Sequence, residues 1–139
     1  MSPKLILSFT LRVVAAGILL QTLYFKFTGH PESVELFTKL GVEPWGRIGT
    51  GVIELVASIL LLIPSTVFIG AFLGIGLMSG AILSHLTIIG IESKGDGGQL
   101  FILAITVWIC CAIIMALYKQ HAVIMLKKFR KPQMNQVIG

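Results

Sequence analysis

The 139-residue chain is 55% hydrophobic and only 12% charged, with a net charge of +5 and a mean hydropathy of +0.93. Soluble domains carry about a quarter charged residues, and a single unit of this length could not hide so much apolar surface from water, so the composition points to lipid as the solvent. The excess of cations is no nucleic-acid signature, because the basic residues gather at the C-terminus without interleaved aromatics; a solvated or lipid-facing tail is expected.

The first apolar run, about 5–27, has a signal-like start in Lys4 and Leu5–Leu20, but it continues to Phe27 without a small-residue cleavage site. It reads as a retained span, since about 20 residues cross the hydrocarbon core. Arg12, Leu19 and Lys26 are spaced by seven and share one helix face, which should look into the protein. Lys26, at the end of the span, can also snorkel to the headgroups. The connection 28–46 is too long for a turn. Pro31 suits the first position of a short interfacial helix, Glu32 and Glu35 its N-terminal dipole, and Gly41 its C′ position. Trp45 fits an aromatic belt at the membrane surface.

The second span, about 47–63, ends at Pro64. Thr50, Glu54 and Ser58 follow at i, i+4, i+8 and form one polar stripe. A carboxylate in hydrocarbon costs several kcal/mol, so Glu54 requires a partner, a proton or a task. Pro64-Ser65-Thr66 makes a tight connection in which Ser65 or Thr66 can cap the next helix. The third span, about 67–91, carries the small-residue pairs Gly70/Gly74 and Gly76/Gly80, a packing signal, and His85 near its far end. Asp96 and Gln99 have capping-box spacing before the fourth span, about 99–118. Cys110 and Cys111 are neighbours that point about 100° apart on a helix, so they read as packing residues rather than a disulfide. A basic tail, 119–139, follows; its first part is expected to prolong the helix and its last residues to be disordered.

These elements define an all-α fold: a bundle of four transmembrane helices with a short interfacial helix between spans 1 and 2, in one domain over 1–139. Both termini fall on one side. Lys4, Lys119, Lys127, Lys128, Arg130 and Lys131 make six cations there, against four, Lys26, Lys39, Arg47 and Lys94, on the side that also holds five acids. The positive-inside rule places both termini in the cytoplasm.

With that topology Glu54 and His85 both lie about 10 Å below the outer surface. The expectation is a polar pocket opening outward, lined by Lys26, Glu54 and His85, with Arg12 as a distant floor. Glu54 and His85 are the candidate catalytic pair, because burial and mutual charge move a carboxyl and an imidazole toward neutral pKa values. Arg12, Lys26, Glu54 and His85 are the candidate ligand-binding residues. The alternative is that Glu54 pairs with Lys26, Arg12 or His85 and locks the bundle. One His and one Glu are too few for a metal site, and His30 and His121 lie in the loop and the tail.

The chain resembles the DoxX-like family of small four-helix membrane proteins over nearly its whole length. The resemblance rests on Arg12 and Lys26, on Phe37-Thr38-Lys39-Leu40-Gly41, on Glu43-Pro44-Trp45-Gly46-Arg47-Ile48-Gly49, on Glu54 in GVIELVASILLLIP, and on Ser84-His85-Leu86-Thr87, Gly90-Ile91-Glu92 and Asp96-Gly97-Gly98. It implies a bacterial inner-membrane location. The family name comes from association with a thiosulfate:quinone oxidoreductase, and other relatives are linked to thiol and oxidative-stress systems, so the resemblance implies redox work near quinones and membrane oxidoreductase partners. The chain carries no CxxC, haem-attachment motif or nucleotide loop of its own. Three functions follow for testing: a redox-associated subunit binding a quinone or similar apolar molecule, a module that binds or transports a lipid or small solute, and a structural subunit of a larger complex. Nothing in the residues excludes a homo-oligomer packed through the glycine faces.

Overall fold

Long runs of Leu, Ile, Val and Ala, broken only at Pro and Gly, leave the backbone in lipid one way to satisfy itself locally, which is to coil into helices. In a computed structural model, which describes residues 2–93 and 95–138 with the side chains of 125, 129 and 131–138 apart, all regular structure is helical. The order is α1 (Pro3–Phe27), α2 (Pro31–Lys39), α3 (Trp45–Leu62), a 3₁₀ turn (Pro64–Thr66), α4 (Val67–Ser84) continued by a π-helical turn (His85–Ile89), and α5 (Gln99–Ile138). Four stretches are long and apolar enough to cross a membrane: Pro3–Phe27, Trp45–Leu62, Pro64–Ile89 and Gln99–Lys128.

The four spans close into a ring. α1 packs on α3 and α5, and α4 packs on the same two helices from the other side. Their shared core is Ala15, Leu19, Ala57, Leu61, Val67, Ala71, Val107, Cys111 and Ile114. Many of these residues are small, as expected where helices associate by close contact and not by exclusion of water. The face carrying Arg12 and Leu19 is buried as the sevenfold spacing predicts, and Lys26 is mostly buried at its end.

α2 is the interfacial helix. His30 caps it, Pro31 takes the first turn, and Gly41 at φ +75° closes it, with Gly41 N–H donating to Thr38 O and Val42 N–H to Phe37 O at 3.0 Å each. Phe37 turns inward. Trp45 opens α3 and is highly exposed, in keeping with a place at the membrane surface.

Three expectations are corrected. Thr66 does not cap α4 with its side chain; its hydroxyl turns back to Leu60 O at 2.9 Å. Pro64 has no N–H to give Leu60 O, and Thr66 supplies the missing donor. The helix runs past Tyr118, as expected of the first part of the tail, but the last residues of the tail are helical too: α5 runs on to Ile138. The stretch after Tyr118 contains neither an acid to repel nor a glycine until the last residue, and its proline comes only at 132. Finally, the two glycine pairs differ. A Cβ on Gly70 would lie 2.7 Å from Leu61 N and 3.0 Å from Leu60 C, and one on Gly74 would lie 2.6 Å from Cys111 Sγ, whereas Gly76 and Gly80 meet nothing within 4 Å. Only the first pair lets helices of this chain approach. Lys94, one of the cations counted for topology, lies outside the described residues, as does the side chain of Lys131.

Because the obstacle at Gly70 is α3 backbone, Gly70→Ala should destabilise the bundle by about 1–3 kcal/mol, while Gly76→Ala should change it by less than about 0.5 kcal/mol. Reversible SDS unfolding of the two variants measures both.

Candidate functional site

The acid in the spans is Glu54, and α1 provides what holds it. Lys26 Nζ lies 3.0 Å from Glu54 Oε2, and Thr22 Oγ1 lies 3.1 Å from the same oxygen, its one proton shared between that carboxylate and Leu19 O at 2.8 Å. Thr22 and Lys26 are four residues apart on one face of α1, so a single helix presents both donors. The carboxylate is 3% exposed. Ser58, next on the α3 stripe, is fully buried and donates to Glu54 O at 2.8 Å. Among the described residues no hydrogen bond engages Glu54 Oε1, which leaves one acceptor of the pair open.

The remaining basic groups of the spans do different work. Arg12, 8% exposed, donates from Nε to Leu61 O at 2.6 Å and from Nη2 to Leu62 O at 2.8 Å. These carbonyls lie at the C-terminal end of α3, where the helix itself offers no donor. Arg47, in the first turn of α3, donates from Nη1 to Lys26 O at the end of α1, while its Nε grips both oxygens of Glu43 at 2.8 and 3.0 Å. Each of the two antiparallel helices thus carries, in its N-terminal half, the arginine that caps the other helix's end. A cation is also the favoured charge at that negative pole.

His85, 5% exposed, follows the same rule within its own span. Its Nδ1–H donates to Gly90 O at 2.9 Å, where Gly90 at φ +89° ends the π turn, and its ring lies against Phe101 with centroids 5.7 Å apart. An acceptor carbonyl fixes Nδ1 as the protonated nitrogen. No hydrogen bond or ion pair joins His85 to Glu54 among the described residues. The structure therefore brings Lys26 and Glu54 together as a contact pair, and gives Arg12 and His85 to helix ends. The acids and cations so placed leave no group of three His, Cys, Asp or Glu side chains that could hold a metal among the described residues.

Beside this end of the bundle, Asp96 organises the loop before α5. Its Oδ1 accepts from Ser93 N at 3.0 Å and Gly98 N at 2.8 Å, and its Oδ2 from Leu100 N at 3.2 Å. Desolvation pushes its carboxyl up, but the three N–H donors and the nearby His85 outweigh this and hold it below the ordinary carboxylate value. Asp96 thus satisfies a first-turn N–H of α5, but not through the capping box that its spacing with Gln99 suggests: α5 begins at Gln99, and the helical donor to the Asp96 side chain is Leu100 N.

Sequence reasoning missed Thr22 and the Arg47–Glu43 clamp. Both were open to the same test that grouped Arg12 with Lys26, since Thr22 stands four residues before Lys26 and Glu43 four before Arg47. Four apolar spans in a closed ring, with charged side chains turned inward, define a small integral membrane protein of the four-helix type. Residues 10–108 match the DoxX-like family, and the chain belongs to it. No curated protein and no solved structure matches the chain.

The ion pair gives a quantitative expectation. Lys26→Met leaves a buried carboxylate without its cation and should cost about 3–5 kcal/mol, whereas Lys26→Met with Glu54→Met should recover to near wild type. A double-mutant cycle read by SDS unfolding tests this, and an unfavourable double variant would assign the pair's value to something other than mutual compensation.

Proposed function

We propose that this DoxX-like protein is a redox-associated membrane subunit that holds the polar end of a quinone or similar apolar molecule at the Lys26–Glu54–Thr22 cluster. The observation that supports this is the divided carboxylate: both donors converge on Oε2, and Oε1 stays open to a donor from outside. A hydroxyl of a quinol can give its hydrogen bond to Oε1, and a quinone carbonyl can accept one from Lys26 after a small shift of the ammonium. Glu54 then receives one proton as a quinol is oxidised, or returns it as a quinone is reduced, with the two electrons passed to or taken from a partner oxidoreductase and the second proton exchanged with water at the membrane surface. The apolar remainder of the ligand would lie along the lipid-facing surface. His85, with Nδ1 given to Gly90 O, is assigned to the end of its helix and not to proton transfer. The bacterial inner membrane with cytoplasmic termini is the setting that the family resemblance and the distribution of Lys and Arg support.

A second reading rests on a specific observation, the reciprocal arginine caps. They make the α1–α3 pair a self-contained unit and favour a structural subunit in which the Lys26–Glu54 pair only fixes helix register. Extraction into lipid nanodiscs, followed by absorbance and mass spectrometry of the bound fraction, separates the readings. The ligand reading expects a quinone in the wild type and about a tenfold loss in Glu54→Gln, the worth of one hydrogen bond to a charged group. Bulk lipid alone in both samples leaves the structural reading standing.

A further inference from the structure

α5 outruns the bundle. Ser8 Oγ and Tyr118 Oη lie 2.6 Å apart, which sets the two antiparallel helices in register. α1 begins at Pro3, five residues before Ser8, so Val123 stands level with the start of α1. Beyond it no other helix accompanies α5. Val123, Ile124 and Leu126 are 48%, 65% and 69% exposed there. Lys127, Lys128 and Arg130 follow, also exposed, and Lys119 lies just before them. No Asp or Glu occurs anywhere after Asp96.

The levels can be converted to depth. Leu5 and Ile6, exposed on α1, belong to its apolar, membrane-spanning surface. At 1.5 Å per residue, Val123, Ile124 and Leu126 lie about 3–8 Å beyond the level of Leu5, and Lys127, Lys128 and Arg130 about 9–14 Å beyond it. Each interfacial layer of a bilayer is about 5–8 Å thick. The apolar trio therefore lies in the interfacial layer next to the acyl chains, and the basic trio stands at its outer margin, from which long Lys and Arg side chains reach back to the phosphates.

The geometry points to a binding surface for anionic lipid headgroups on residues 119–130 of α5, with Val123, Ile124 and Leu126 seated at the acyl boundary and Lys127, Lys128 and Arg130 on the phosphates. Two features commit this surface to lipid and not to an acidic protein. The apolar residues stand just beyond the membrane-spanning surface of α1, and three of the four cations, Lys127, Lys128 and Arg130, come after them in the order in which a bilayer presents its layers. A polybasic stretch next to a span is drawn to an anionic surface about fivefold more tightly for each Lys or Arg it carries. This inference is independent of any ligand at Glu54.

The test uses the full chain and defined lipids. Wild type and the triple variant K127Q/K128Q/R130Q are equilibrated with equal phosphatidylglycerol and phosphatidylcholine, and retained lipids are counted by native mass spectrometry. Wild type should prefer phosphatidylglycerol, and the triple variant should lose that preference by on the order of a hundredfold. The charge-preserving variant K127R/K128R should keep it. The triple variant should unfold in SDS at the wild-type midpoint, because these side chains pack on no other helix. Equal retention of the two lipids by the wild type overturns the proposal. So does an undiminished preference in the triple variant, or capture of an acidic protein without any preference among lipids.

Discussion

A helix that ends inside a membrane leaves carbonyl groups facing hydrocarbon, and an unpaired one costs several kcal/mol because no water can reach it. This protein meets that constraint with basic side chains. Arg12 closes α3, Arg47 closes α1, and His85 closes the π turn that ends the third span. At the end of α3 every carbonyl is accounted for. Ile59 O takes the N–H of Ile63, Leu60 O the hydroxyl of Thr66, and Leu61 O and Leu62 O the two arms of Arg12. Pro64 makes this necessary, because it stops the helix and removes a donor in one step.

The reciprocal caps also decide what the remaining charges can do. With both arginines fixed at helix ends, Lys26 is the cation of the spans that faces Glu54, and Thr22 is its companion. A buried pair of this kind contributes little net stability against well-packed apolar residues, yet losing one member is costly. Its retention in so apolar a chain is the reason to look for a task there. Glu54 Oε1, which no hydrogen bond engages among the described residues, is the atom that the proposed ligand would meet.

Much of the fold was legible in the sequence, because composition and spacing carry it. Four apolar runs gave four spans, Pro31 and Gly41 bracketed α2, and Pro64 marked the hairpin between α3 and α4. The inward face of Arg12, Leu19 and Lys26 followed from sevenfold spacing. The site was legible only in part. Lys26 does lie against Glu54, but Arg12 and His85, placed in the same group, hydrogen-bond to backbone carbonyls instead, since depth arguments rank residues by level and cannot say which carbonyl a side chain will choose. That Arg12 would reach Leu61 and Leu62, 49 and 50 residues away, depends on the rotation of two helices about their axes. That Gly70 and not Gly76 would meet a neighbour depends on the same rotation. The length of α5 was underestimated because the basic residues after Tyr118 end the hydrophobic pattern without ending the helix.

Arg12 occupies the end of α3 as its hydrogen-bond donor. Isotope-edited infrared spectroscopy of the protein in nanodiscs, with heavy carbonyl labels on leucine read in wild type and in Arg12→Met, addresses it directly. A labelled band that moves to higher frequency in the variant, as carbonyls lose a strong donor, is the predicted result. Superimposable bands in the two proteins would contradict the account.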